Sequence, residues 1–221
     1  LPVNDKPILQ YLLDKLGLLS ISRGILVSND KYAVAFEEWF SKATGPVPWS
    51  VLNDGSTSEN DRLGSVGDLR FAIEQCGIDE DLLILGSDNL FEAGLEAFVS
   101  FAQSKQAVTL GAYQLPDKKL AAQYGVLSAG EDGKINSFLE KPKDPPSALV
   151  STAIYFFPRA SLPRVIEYTS SSSSADKLGD FISWLIAKEP VFAHLFQGRW
   201  LDIGDVDSYH QAQEFWNKTS R

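Results

Sequence analysis

Between Pro7 and Leu19 the apolar residues Ile8, Leu9, Leu12, Leu13, Leu16 and Leu19 recur at helical spacing, and beyond Gly17 a short apolar run covers Ile21 to Val27. Apolar positions every three or four residues lay one stripe along a helix, whereas a short continuous run suits a buried strand, so this stretch predicts helix, then strand. Lys31 to Phe40 predicts a second amphipathic helix on Tyr32, Val34, Ala35, Phe36 and Trp39, which Gly45-Pro46-Val47-Pro48 terminates. A run of turn formers, Asn53 to Asp61, is read as a loop. Leu69 to Gln75 reads as helix, and Asp81-Leu82-Leu83-Ile84-Leu85 as a short buried strand ending in Gly86-Ser87-Asp88. A helix near Leu95 to Ser104 and a strand over Ala107 to Tyr113 follow.

The pattern then changes. Tyr124 to Ser128 and Lys134 to Leu139 flank Glu131-Asp132-Gly133, the signature of a β-hairpin. Leu149 to Phe157 predicts a further buried strand, the five serines Ser170 to Ser174 a surface loop, Leu178 to Lys188 a helix, Val191 to Phe196 a strand, and Tyr209 to Asn217 a closing helix. Strands alternating with helices through the first half imply an α/β fold with a mostly parallel sheet covered by helices on both faces, to which the hairpin adds antiparallel strands. No repeat and no long linker divides the chain, so residues 1–221 are expected to form a single domain.

The composition narrows the function. With 221 residues, 44% hydrophobic and 22% charged, the chain is that of an ordinary globular protein. No apolar stretch approaches the roughly 20 residues of a membrane span and the first residues do not form a signal peptide, so a cytoplasmic location is expected, with no membrane partner. Twenty basic against 29 acidic residues, a net charge of −9, oppose binding to nucleic acid. Cys76 is the sole cysteine and His194 and His210 the only histidines; these three read as structural or surface residues, and any metal must be held mainly by oxygen.

Oxygen ligands are available in two places. Asp88 follows an apolar strand, where ligands of open α/β sheets bind, and its carboxylate could ligate Mg²⁺ or, alternatively, cap the next helix. Far along the chain, Asp202 sits in Trp200-Leu201-Asp202-Ile203-Gly204-Asp205 between apolar neighbours, and two distant acids could share one ion. Glu140-Lys141-Pro142-Lys143 closes another strand: Glu140 could accept hydrogen bonds from sugar hydroxyls and Lys141 could neutralise a phosphate, unless the string is a solvated charge cluster. Arg62-Leu63-Gly64-Ser65-Val66-Gly67-Asp68 enters a helix and could offer backbone amides to an anion or a base edge, although it matches no P-loop or dinucleotide fingerprint.

Taken in order, Leu1 to Leu9, Asn53-Asp54-Gly55 with Asp61-Arg62-Leu63-Gly64, Leu85 to Asn89, Tyr124-Gly125-Val126, Glu140-Lys141-Pro142 and Trp200 to Gly204 resemble the sugar-1-phosphate nucleotidylyltransferases, nearest the glucose-1-phosphate thymidylyltransferase-like branch. The resemblance runs from the first residue to about Ala212. It implies a Rossmann-like sheet and a reaction in which a sugar 1-phosphate, glucose 1-phosphate by preference, attacks the α-phosphorus of a nucleoside triphosphate, dTTP or UTP by preference. By position, Asp88 and Asp202 would hold Mg²⁺ and Glu140 would bind sugar hydroxyls. Lys141 would bind the sugar phosphate, Tyr124, Gly125 and Thr152 would line the sugar pocket, and Leu63 and Gly64 would lie along the base. A phosphate monoester is already an anionic nucleophile at pH 7, so no general base is needed. Oligomeric state stays open, relatives of this kind forming dimers or tetramers.

Some positions depart from the family pattern. The chain contains no methionine and opens on Leu1, and the family's first strand, its Gly-Thr-Arg loop and a Pro-Lys pair precede the matching position. The chain is therefore expected to be a fragment, inactive alone, whose lost strand leaves its neighbours with unpaired backbone groups. Ser87 stands between Gly86 and Asp88, Asp205 replaces a common Thr, and Ala153 replaces a common Gly, where its methyl is expected to crowd the sugar or to demand a negative φ. Two other functions compete: a non-catalytic homologue that binds nucleotide or sugar phosphate for regulation, and a nucleotide-sugar glycosyltransferase, which shares the fold and an acid-bound metal.

Overall fold

The computed structural model describes residues 1–42, 47–171 and 176–217, with side chains as far as Glu214. Gly45-Pro46 and Ser172 to Ser174, the latter from the serine run, lie outside the described residues. The chain opens with a tight hairpin of β1 (Pro2–Val3) and β2 (Lys6–Pro7), turned by Asn4 and Asp5 at positive φ, and leads into α1 (Ile8–Leu16). Next come β3 (Gly24–Ser28), α2 (Asp30–Lys42), β4 (Trp49–Asn53), α3 (Gly64–Cys76), β5 (Leu82–Leu85), β6 (Asn89–Phe91), α4 (Glu96–Lys105) and β7 (Thr109–Gln114). The second half holds β8 (Gly125–Ala129), β9 (Ile135–Glu140), β10 (Leu149–Phe157), α5 (Leu162–Ser171), α6 (Leu178–Leu185), β11 (Phe192–Leu195), β12 (Trp200–Asp202) and α7 (Val206–Asn217).

The main sheet has six strands in the order β11-β7-β10-β8-β9, with β5 beside β8 on the same edge of β10. Strands β5, β7, β8 and β11 run one way and β9 and β10 the other, while β3 and β4 form a separate parallel pair. Most strand directions are therefore common, as the alternation of strands and helices implied, and β8–β9 is the expected hairpin. Sequence patterning did not show that β10 would run against its neighbours through the middle, making its own ladders antiparallel. Among the described residues β3 pairs only with β4 and β5 only with β10, so each leaves one edge without a strand partner.

Alternation along β10 builds two cores. Tyr155 and Phe157 face a cluster supplied by Val66, Leu69 and Ile73 of α3, Val165 of α5 and Phe181, Ile182 and Leu185 of α6. Val150, Ile154 and Phe156 face the opposite side, against Leu12, Leu13 and Leu16 of α1 and Phe98 and Ala102 of α4. The sheet is thus covered on both faces, because a strand's side chains alternate and each face must be shielded. Helix boundaries differ from those periodicity suggests: α3 starts at Gly64 and α7 at Val206 rather than at Leu69 and Tyr209, while α1 ends at Leu16 and α6 at Leu185 rather than at Leu19 and Lys188. Among the described residues no helix is long and apolar enough to cross a membrane.

The ladder between β10 and β7 slips between Ser151 and Tyr155, and Ala153 lies in that irregularity at φ +53. The expectation that its methyl would force a negative φ is corrected here: the surrounding ladders hold the alanine in the left-handed region. Its carbonyl accepts from the Gly86 amide at 2.8 Å, which ties the bulge to the end of β5. A Cβ in that region costs roughly 1 kcal/mol or more that glycine avoids, partly offset by glycine's greater unfolded-state entropy. Ala153→Gly is therefore expected to stabilise the fold by about 0.5–1 kcal/mol, read as an upward shift of the urea midpoint at unchanged m-value.

Candidate functional site

The chain turns sharply after β5, and the backbone amide of Gly86 is held by β10 while Asp88 projects at the turn. A Cβ at Gly86 would stand 2.9 Å from Asn89 Nδ2, 3.0 Å from the Ala153 Cβ and 3.1 Å from Asp88 Oδ1, so a side chain there would crowd the turn. The element that follows Asp88 is the strand β6, not a helix, which removes the helix-cap alternative. Antiparallel pairing of β6 with β12 sets Asp202 opposite Asn89, and the Ile203 amide donates to the Asp88 carbonyl at 2.9 Å. Asp88 and Asp202, 114 positions apart in sequence, are neighbours in space. Burial and then the nearby charge of Asp88 push the Asp202 carboxyl up to about 6, against the pull of Lys141.

Glu140 ends β9 and Lys141 follows at φ +44, its amide donating to the Tyr124 carbonyl at 3.1 Å. The left-handed residue breaks the strand's alternation, so acid and base need not point to opposite faces. Lys141 acts electrostatically on both Glu140 and Asp202, which joins the two halves of the predicted site. Burial raises the Glu140 carboxyl, and Asp180 adds to the rise while Lys177 opposes it. Tyr124 lies edge-on to Trp200 with ring centres 5.2 Å apart, and its hydroxyl is raised by burial and by the charges of Asp202 and Asp205. Gly125 is buried beneath the Phe138 ring. Thr152 is fully buried and its Oγ1 has no partner among the described residues, so it is closed to solvent.

Leu63, 41% exposed, and Gly64, at φ +75, begin α3. The backbone of Asp176 packs directly on Gly64: its carbonyl accepts from the Ser65 amide at 2.8 Å, and its carboxylate pairs with Arg62 at 3.0 Å. Asp176 thus reaches the predicted base-lining loop, while Lys177 and Asp180 reach Glu140, so one short segment touches both. Sequence reasoning missed these three residues; charged positions around Gly179 at the entry to an apolar helix were the available signal. The preceding loop is preformed, since the Asp61 carboxylate accepts from the amides and hydroxyls of Thr57 and Ser58 and is held well below the usual range.

Two carboxylates, a lysine, a half-buried glutamate and an aromatic wall are thus brought together, groups that compensate charge and accept hydrogen bonds. Among the described residues no group of three or more His, Cys, Asp and Glu side chains is arranged to hold a metal, so any cation here would rest on the Asp88–Asp202 pair and its ligand.

Comparisons with known proteins give the family and the fold. A family model described as "Nucleotidyl transferase" matches residues 1–219. A UTP–glucose-1-phosphate uridylyltransferase of Synechocystis is 28% identical over 96% of this chain and 56% of its own length. A glucose-1-phosphate adenylyltransferase of Clostridium acetobutylicum is 31% identical over 60% of this chain and 36% of its own. The chain thus spans about half the length, or less, of these relatives. Among solved structures, a UDP-glucose pyrophosphorylase in complex with UDP-glucose superposes with a TM-score of 0.83 at 18% identity, covering 99% of this chain and 89% of the other, and its apo form gives 0.82. Likeness at that identity establishes the fold.

Asp68, on the first turns of α3, carries a further carboxyl close to Asp54. Burial, then the charge of Asp54 and a hydrogen bond shared with it, push Asp68 up to about 6. The folded state therefore keeps a proton that the unfolded chain releases between about pH 4 and pH 6, so stability falls as pH rises through that window and is level above it. Allowing for solvent contact, the Asp68 share is about 1 kcal/mol. Urea midpoints between pH 4.5 and 7 should fall less steeply in Asp68→Asn than in the wild type, in which Asp202 titrates over the same range.

Proposed function

The chain belongs to the nucleotidyl transferase family, and from that premise we propose that the whole protein transfers a nucleotidyl group from a nucleoside triphosphate to a sugar 1-phosphate, releasing pyrophosphate. The observation that carries the proposal is the convergence of Asp88, Asp202 and Lys141 at one sheet edge, with Glu140 and Tyr124 beside them. Glucose 1-phosphate is the acceptor we favour, because the named relatives act on it. UTP or dTTP is the donor we favour, and a relative aligned along 96% of the chain, a uridylyltransferase, supports UTP.

In this reading an oxygen of the sugar phosphate attacks the α-phosphorus, the bond to the bridging oxygen breaks, and pyrophosphate leaves. Lys141 offsets the charge of the incoming phosphate, Glu140 accepts hydrogen bonds from sugar hydroxyls, and Tyr124 walls the pocket, so catalysis consists of alignment and charge compensation. The donor set fits a divalent cation: both acids present hard oxygens, and the Asp202 carboxyl, raised by burial and then by the charge of Asp88, lies where a positive charge would favour its ionised form. Mg²⁺ held by Asp88 and Asp202 would screen the repulsion between two anionic reactants. Leu63 and Gly64 supply the backbone beside the base.

Pyrophosphate release by the whole protein, assayed with glucose 1-phosphate and each common nucleoside triphosphate with and without Mg²⁺, tests the proposal. Metal-dependent release is expected, and Asp202→Asn should lower turnover by well over tenfold because one oxygen ligand loses its charge. Binding of nucleotide or sugar phosphate without any release would replace the proposal with the non-catalytic alternative.

A further inference from the structure

Asn89 is 1% exposed and lies between two side chains. The Trp200 indole Nε1–H donates to its Oδ1 at 2.7 Å, and its Nδ2 donates to Asp88 Oδ1 at 2.8 Å. An indole nitrogen can only donate, so the amide oxygen must face Trp200 and the NH₂ must face Asp88. The indole therefore decides which way the amide points, and the amide decides where one carboxylate oxygen of Asp88 sits. The other oxygen, and the second lone pair of Oδ1, stay available to a ligand.

Trp200 is itself held. Tyr113 and Tyr124 pack against its ring at 5.5 and 5.2 Å, and it sits across the β6–β12 ladder from Phe91. The turn carrying Asp88 has little else to fix its side chain: Asp88 is exposed, and Asn89 supplies the side-chain hydrogen bond it makes. We propose that Asn89 is a positioning residue for Asp88, set by the Trp200 N–H, and that this buried relay prepares the carboxylate for a divalent cation. The inference rests on the reading of Asp88 as a cation ligand. Ligating carboxylates need such partners because an unrestrained side chain must lose rotamer freedom on binding, and removing outer partners costs roughly tenfold or more in affinity.

The test measures Mn²⁺ affinity of the whole protein by calorimetry and by the loss of the free-ion paramagnetic resonance signal, with thermal midpoints recorded in parallel. Four variants are compared with wild type. Trp200→Phe keeps a ring but removes the donor, and Asn89→Leu breaks both bonds while keeping the branched shape, so that one reports if the other does not fold. Tyr113→Leu strips packing from the same indole but leaves the N–H in place. Asp88→Asn removes the ligand charge.

About tenfold weaker Mn²⁺ binding in Trp200→Phe or Asn89→Leu, with Tyr113→Leu within twofold of wild type at a comparable thermal midpoint, is the expected result. Unchanged affinity in Trp200→Phe and Asn89→Leu, alongside loss in Asp88→Asn, overturns the positioning role and leaves the cation reading intact. Equal losses in Trp200→Phe and Tyr113→Leu overturn it in favour of simple packing. Unchanged binding in Asp88→Asn, or no Mn²⁺ binding by the wild type, overturns the cation reading and the inference with it.

Discussion

Asp88 and Asp202 carry like charges, and a fold that holds them together must offset their repulsion with something stronger. Here it is a short antiparallel ladder, β6 with β12, whose apolar residues Leu90, Phe91 and Trp200 are buried and whose acidic end carries the half-buried Asp202. Each large apolar side chain buried contributes roughly 1.5–3 kcal/mol, enough to pull a destabilised carboxylate along with it. Arg199 reinforces the other end of the ladder by donating from Nε to Glu92 at 2.6 Å, and the Lys15 ammonium reaches the Glu92 carbonyl at 2.6 Å. The ladder's closed end secures its open, charged end.

Around that pair, unusual backbone geometry places further groups of the predicted site. Lys141 sits at a positive φ because the strand must stop there to bring its charge toward Asp202, and Ala153 adopts the same region where β10 bends past the end of β5. Backbone outliers of this kind cost energy and persist only where neighbours over-determine them. Both belong to segments bearing the predicted site residues. The segment from Asp176 to Asp180 then links the α3 loop to Glu140, so the two regions assigned to base and sugar share one wall.

Much of this was legible in one dimension. Helix and strand follow from local periodicity: the Leu12, Leu13 and Leu16 stripe does bury against the sheet, and Leu82 to Leu85 is a strand of the kind its apolar run implied. The motifs at Asp88, Glu140-Lys141 and Asp202 were visible as acids and bases after apolar runs, and the ordered set resembled a family whose model matches the chain. Boundaries were less legible. The helix from Gly64 starts five residues before its apolar pattern does, because its first turn is secured by Asp176, more than a hundred positions away.

By itself, then, the sequence determined most of the longer helices and strands, though not the short strands β4, β6 and β12 nor α5, which extends through Ser170 and Ser171 where a loop was expected; it also determined that both sheet faces would be covered and which residue types were available for chemistry. Those properties depend on neighbours a few positions apart. Tertiary structure alone decided that β10 runs against its neighbours, that Thr152 is closed to solvent, that Ala153 keeps a left-handed backbone, and that Asn89 spans Trp200 and Asp88. Each of these is a contact between segments far apart along the chain, and pairing at such distance is set by which surfaces can be buried together, a quantity that no local pattern encodes.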